Sequence, residues 1–336
     1  MSELLELGLL KRVCVNLLLL SALLVGLGAC SPIAAAPALT PVTVQLSWSH
    51  QAEFAGLYAA EQQGYFAEEG LKVSFIEGGP EVDFIAPVAN GKAQFGVAQP
   101  ADLILARADG KPVRSIAVIF RRSPIVFFSL AGSGIKRPKD FIGKRIRTVV
   151  TIDQTLRALM MKEGIAADQY RTVNLPSDIK QFASGEVPVW GGYVNVFALE
   201  VQKAGYKINI ISPDDYRIHF YGDVLITTDK MIREKPDLVQ RFTRATLKGW
   251  TYAVENPEEI GAFVQKYKQD ASPSLETDKM IASIPLVNTG EDVIGWMKPE
   301  IWAGMAETLS AQGALKSPVN VKDVYTMKFL EEIYNK

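Results

Sequence analysis

The 336-residue chain is poor in the residues that most chemistry needs, with two cysteines, two histidines and no surplus of either charge: 36 Lys and Arg stand against 37 Asp and Glu, a formal net charge of -1. Without a basic excess there is no electrostatic footprint for a polyanion, so nucleic acid is excluded as an expected partner. His50 and His219 alone give too few ligands for a zinc site, and no metal is expected. The chain has no Gly-x-x-x-x-Gly-Lys-Ser/Thr phosphate cradle and no Gly-x-Ser-x-Gly elbow, and Gly132-Ser133-Gly134 is too short for a dinucleotide fingerprint. No cofactor is expected either. The paired carboxylates Glu68-Glu69, Asp214-Asp215 and Glu258-Glu259 fall in turns or first helical turns, where they read as solvated caps. Arg121-Arg122 reads as exposed loop. Nothing here argues for catalysis.

Long apolar runs are also scarce. One extends from Val13 to Leu27 behind Lys11 and Arg12, shorter than the roughly 20 residues that span a bilayer, and it predicts a secretory signal over residues 1–29. It ends at Leu27-Gly28-Ala29-Cys30, which resembles a bacterial lipobox with Cys30 as the acylated residue. Cys14 lies inside the signal, so Cys30 has no disulfide partner. Residues 30–41, rich in Ala and Pro, read as a tether between that anchor and a body on the extracytoplasmic face of the cell membrane.

The body has a globular composition, 48% hydrophobic and 22% charged, and a length suited to two domains. Strand patterns at 42–46, 71–75, 95–98 and 116–120 alternate with helical patterns at 55–63, 83–90 and 101–108, which predicts an α/β lobe with a mainly parallel sheet. The continuous apolar run Ile125–Leu130 is expected to cross the molecule. A second α/β series follows, with strands at 144–150, 171–175, 187–190 and 207–211 and helices at 154–162, 179–184 and 196–203. After a strand at 224–227 the chain turns helical, at 236–255, 257–268, 299–312 and 321–332, with Pro236, Pro257 and Pro299 in first turns. Trp250, Trp296 and Trp302 sit at helix-packing positions there and read as core.

Open α/β sheets bind ligands at strand ends, and aromatic and amide residues gather at several predicted ends. Trp48, Gln51, Phe54 and Tyr58 follow the first strand; Gln99 and Asp102 follow Ala98; Trp190, Tyr193 and Asn195 follow Val189; Tyr221 and Asp223 flank the second crossing. Flat rings, amides and a carboxylate suit a planar polar heterocycle. Gly78-Gly79 and Gly191-Gly192 are expected to leave room for it.

Leu46-Ser47-Trp48, Leu57-Tyr58-Ala59-Ala60, the run Gly64 to Leu71 and Gly91-Lys92-Ala93-Gln94-Phe95-Gly96, with weaker matches as far as Pro257, together resemble the NMT1/THI5-like family. The resemblance implies the two-lobed type II periplasmic-binding-protein fold, with a hinge and a helical C-terminal part. It places one discontinuous lobe at 42–125 and 225–336 and the other at 126–224. It further implies a monomeric solute-binding component of an ABC importer, working with a permease and ATPase, whose ligand is riboflavin or an aminopyrimidine precursor of thiamine. The family's pyrimidine synthases carry a lysine and a histidine four residues apart where this chain has Ala98 and Asp102, and a cysteine-rich run where Ile218 to Asp223 has none. The resemblance to the binding branch therefore implies no enzyme activity.

Overall fold

In the computed structural model, which describes residues 38–79 and 82–335, Val42 and Val44 point into the core while Pro41 before them and Thr43 between them do not, the two-residue period of a strand with one face buried. The predicted signal, Cys30 and most of the tether lie outside the described residues. Ten strands follow in chain order: β1 (Thr40–Gln45), β2 (Leu71–Ile76), β3 (Phe95–Ala98), β4 (Val113–Val118), β5 (Ile125–Leu130), β6 (Arg145–Thr148), β7 (Arg171–Asn174), β8 (Val189–Tyr193), β9 (Ile208–Ile211) and β10 (Val224–Thr228). They form two five-stranded sheets, ordered β2-β1-β3-β10-β4 and β7-β6-β8-β5-β9.

Both sheets are mixed in the same way. β1 pairs parallel with β2 and β3, and β6 pairs parallel with β7 and β8. The odd strand in each is the one that has just arrived from the other sheet: β5 is antiparallel to β8 and β9, and β10 is antiparallel to β3 and β4. Helices connect the parallel neighbours, as parallel pairing requires, whereas the two arriving strands need no crossover helix.

β5 explains its own apolar run. Ile125 and Phe127 join the main core, while Val126 and Phe128 face a second core with Phe182, Trp190, Phe197 and Val201. A strand covered on both faces reads as continuously hydrophobic. In the first lobe the helix Ala55–Gln62 lies against the long helix Pro236–Glu255 at glycine contacts. A Cβ on Gly249 would stand 2.1 Å from the Gly56 carbonyl oxygen, and one on Gly56 would stand 2.2 Å from the Trp250 ring, so this pair of helices packs backbone to backbone. Trp250 and Trp302 are fully buried.

Two helical expectations change. The helix Pro273–Val287 falls where the sequence offers no helical pattern, because its buried positions include Glu276, Lys279 and Ser283 and break the apolar stripe. The helix expected at 321–332 is a 3-10 turn, Val321–Asp323, followed by Lys328–Tyr334. Between them the backbone pairs with the edge of β4: Ser115 N donates to Val324 O and Thr326 N to Ser115 O, which removes these residues from a helix.

Candidate functional site

A cavity opens where the loops after β1 and β3 face β6, β8 and the start of the helix Val150–Lys162. Ser47, Trp48, Gln51, Glu53 and Gln99 line one wall. Arg147, Val149, Thr151, Ile152 and Ser177, with Gly192, Tyr193, Val196 and Phe197, line the other.

The first wall is a hydrogen-bonded turn. Glu53 is 5% exposed; it accepts from Ser47 Oγ at 3.1 Å and from Gln51 Nε2 at 2.6 Å. The turn is held from behind, because Ala52 N donates to Glu276 Oε2 at 2.7 Å. Across the cavity Gln99 Nε2 donates both to the Tyr193 hydroxyl and to Asp223 Oδ1, and the Tyr193 hydroxyl lies 3.2 Å from the same carboxylate oxygen.

Beneath this cluster the Glu53 and Asp223 carboxyls meet side chain to side chain. Burial, then the charge of Glu53, pushes Asp223 well above the usual carboxylate range, and burial also raises Glu53. No N–H or hydroxyl of another group reaches Asp223 Oδ2. The two carboxyls therefore share one proton, held on Asp223 and donated to Glu53, since Glu53 is the one with Ser47 and Gln51 as further donors. Tyr193 is raised well above its usual value by burial and by these two acids, and stays a phenol. The site thus offers amide donors, a phenol and a shared-proton carboxyl pair around a partly aromatic wall.

Of the residues expected at the site, the structure brings Trp48, Gln51, Gln99 and Tyr193 to the cavity surface, with Asp223 just behind them. The others lie elsewhere. Phe54 and Tyr58 are packed in the first lobe, where Tyr58 stacks on Tyr267 at 4.5 Å and bonds His50 Nδ1 at 2.7 Å. Trp190 is in the second core, its Nε1 donating to Val187 O; β8 extends to Tyr193 instead of ending at Trp190, so strand alternation turns the indole away. Asn195 donates to Ser283 Oγ at 2.7 Å and is buried. Tyr221 accepts from Lys298 N and packs edge-on against Trp302.

Asp102 lines a second, adjoining cavity with Asp83, Phe84 and Lys111, separated from the first by shared residues Trp48, Val149 and Thr151. Burial pushes its carboxyl up to about 7. Gly78 does not leave room for a ligand, because a Cβ there would stand 2.4 Å from Leu46 O; Gly192 does line the cavity. Arg121 is buried, not exposed, and bonds Asp292 at 2.7 Å. Sequence reasoning misses Ser47, Glu53, Arg147 and Ser177. No local pattern marks them as site residues: Glu53 stands alone among Ala52, Phe54 and Ala55, and Arg147 follows Arg145 by two and precedes Thr148.

Two mixed sheets linked by two crossings, with a cavity between them, define a protein of the periplasmic-binding-protein fold. The alkanesulfonate-binding protein SsuA from Xanthomonas axonopodis pv. citri, solved bound to MOPS, shares it with a TM-score of 0.68 and 15% identity over 87% of this chain and 99% of that one. The chain belongs to the NMT1/THI5 like family, whose sequence profile matches residues 51–260. Relatives include the riboflavin-binding protein RibY of Chloroflexus aurantiacus, 26% identical over 88% of each chain, and a formylaminopyrimidine-binding protein of Halalkalibacterium halodurans, 28% identical over 86% of this chain and 90% of that protein. A 4-amino-5-hydroxymethyl-2-methylpyrimidine phosphate synthase of Legionella pneumophila is 23% identical over 87% and 92%.

Proposed function

We propose that this protein is the solute-binding component of an ABC import system and captures a planar, nitrogen-containing heteroaromatic vitamin or precursor, riboflavin first and a formylaminopyrimidine-type thiamine precursor second. The observation that carries the reading is the cavity between the two sheets, lined by the aromatic residues Trp48 and Tyr193, the amides Gln51 and Gln99 and the Glu53 carboxyl, with Asp223 behind them. The Glu53 carboxyl, the member of the pair that lines the cavity, can accept from an exocyclic amino group, which suits an aza-aromatic edge. The relatives named for riboflavin and for formylaminopyrimidine support the same class.

In this reading the lobes, 42–125 with 225–336 and 126–224, close about the crossings at 119–124 and 212–223, because only the closed state lets one ligand touch both walls. Capture and delivery to a permease, rather than synthesis, is the role. Ala98 and Asp102 stand where the synthases' lysine and histidine are expected. We also place the protein on the extracytoplasmic face of the cell membrane, as a monomer anchored through acylated Cys30; no helix among the described residues is long and apolar enough to cross a membrane.

The test is direct. Protein purified without dialysis is expected to release a heteroaromatic small molecule identifiable by mass, with a flavin spectrum if riboflavin is the ligand. A colourless protein that leaves riboflavin fluorescence unquenched removes the flavin and puts the aminopyrimidine first; failure to bind either removes the reading.

A further inference from the structure

Arg147 is the sole cation among the described residues lining the cavity, and it is 3% exposed. Its Nε donates to Leu175 O at 2.8 Å, Nη1 to Gly191 O at 2.8 Å and Nη2 to Ser177 Oγ at 3.2 Å, while the guanidinium lies 5.4 Å from the Trp190 ring centre. These contacts fix the direction of the fork without neutralising it, since every partner is uncharged. A guanidinium has five N–H groups, so one on Nη1 and one on Nη2 remain. Burial lowers Arg147 to about 10, with no carboxylate beside it to oppose the shift.

The rest of the chain does not treat buried cations this way. Arg121, 7% exposed, has Asp292 at 2.7 Å. Lys279, 5% exposed, has Glu200 and Glu276, each at 2.7 Å. A buried charge without a counter-charge costs several kcal/mol, so the exception needs a partner from outside the chain. The helix Val150–Lys162 strengthens the case: its first-turn residues Thr151 and Ile152 line the same wall and no side chain caps it, so its positive end faces the cavity. The acid of that turn, Asp153, bonds Arg157 at 2.8 Å instead.

We propose that Arg147 and Ser177 form an oxyanion subsite, so that the ligand carries an anionic oxyacid group, a phosphate monoester or a carboxylate, on its heteroaromatic body. The two remaining N–H groups can grip two oxygens of such a group, which a neutral ligand cannot match. This rests on the binding reading above and narrows it from a neutral heterocycle to an acidic derivative.

The experiment compares each neutral parent with its acidic derivative: riboflavin against riboflavin 5′-phosphate, and 4-amino-5-hydroxymethyl-2-methylpyrimidine against its phosphate, with carboxymethylflavin as the carboxylate arm. Titrations use the wild type, Arg147→Gln and Arg147→Lys. In the wild type an acidic derivative is expected to bind at least about tenfold tighter than its parent, and the ratio is expected to fall to within about threefold in Arg147→Gln and to an intermediate value in Arg147→Lys. Equal binding of parent and derivatives by the wild type, or a ratio unchanged in Arg147→Gln, overturns the proposal. Where Arg147→Gln does not fold, competition in the wild type decides: inorganic phosphate must displace the ester and leave the parent bound. Where no flavin or pyrimidine binds, the heteroaromatic reading fails, and the subsite then stands or falls on thermal melts. Inorganic phosphate, compared with chloride at equal ionic strength, must raise the wild-type midpoint, raise that of Arg147→Lys by less and leave that of Arg147→Gln unchanged; no rise in the wild type overturns it.

Discussion

Replacing Asp223 by asparagine isolates the shared proton beneath the cavity. In the wild type the native state holds that proton to a higher pH than the unfolded chain, whose aspartates release theirs near 4. A raised native pKa means that more protons are bound in the native state than in the unfolded state above pH 4, so stability falls as pH rises through that window, by about 1.4 kcal/mol per pH unit for one proton. Between pH 4.5 and 6.0 the loss comes to about 2 kcal/mol. A carboxamide at this position has no proton to lose, can still accept from Gln99 and Tyr193, and can donate an amide N–H to Glu53. The Asp223→Asn variant is therefore expected to lose about 2 kcal/mol less than the wild type between pH 4.5 and 6.0, and to gain on it further toward neutrality. Urea unfolding of the ligand-free proteins at pH 4.5, 6.0 and 7.5, analysed at constant m-value, measures the difference. Parallel stability curves for the two proteins would refute the shared proton.

The remaining predictions concern separate parts of the molecule. Asp102→Asn should flatten the pH dependence further, between about 4 and its native value of about 7, without changing ligand affinity, since Asp102 lines the adjoining cavity; the same urea series and a ligand titration check this. Gly249→Val should unfold the protein at a much lower temperature, because its side chain meets the Gly56 backbone, and an unchanged melting midpoint would contradict close packing of the two helices. Trp302→Ala should lower stability by about 3–5 kcal/mol and leave affinity alone. Cys30→Ser should yield protein that is unprocessed or released from the membrane, and recovery of a normally processed form in the membrane fraction would contradict the anchor.

Most strands are legible in the sequence, because the two-residue period is set by which face is buried and that shows in Val42 and Val44, while β5, covered on both faces, shows as a continuous apolar run. Half the site is legible for the same reason: Trp48, Gln51 and Gln99 come just after strands whose ends face the cavity. Tyr193 reaches the cavity although the pattern ends its strand too early, and Trp190, read as a strand end, lies inside β8 with its indole turned to the second core. Tyr58 and Phe54 are misplaced because a helix following a site loop turns most of its side chains into the lobe. Glu53 and Arg147 escape because a single acid or base carries no sign in sequence of whether it is solvated or buried. Only the packing of Glu276 behind Ala52, and the absence of a carboxylate beside Arg147, distinguish these two from surface charges. The helix Pro273–Val287 escapes for a related reason: Lys279 and Glu276 neutralise one another inside, so buried positions read as polar.

We propose that a heteroaromatic solute binds between the two sheets against Trp48 and Tyr193. Calorimetric titration of the purified protein with riboflavin, its phosphate and the aminopyrimidines, repeated on Trp48→Ala and Tyr193→Ala, tests it most directly. Saturable one-to-one binding of at least one of these compounds by the wild type is expected, with a loss of at least tenfold in each variant, about 1.4 kcal/mol or more. Binding that both variants retain in full would contradict it and move the site away from this cavity.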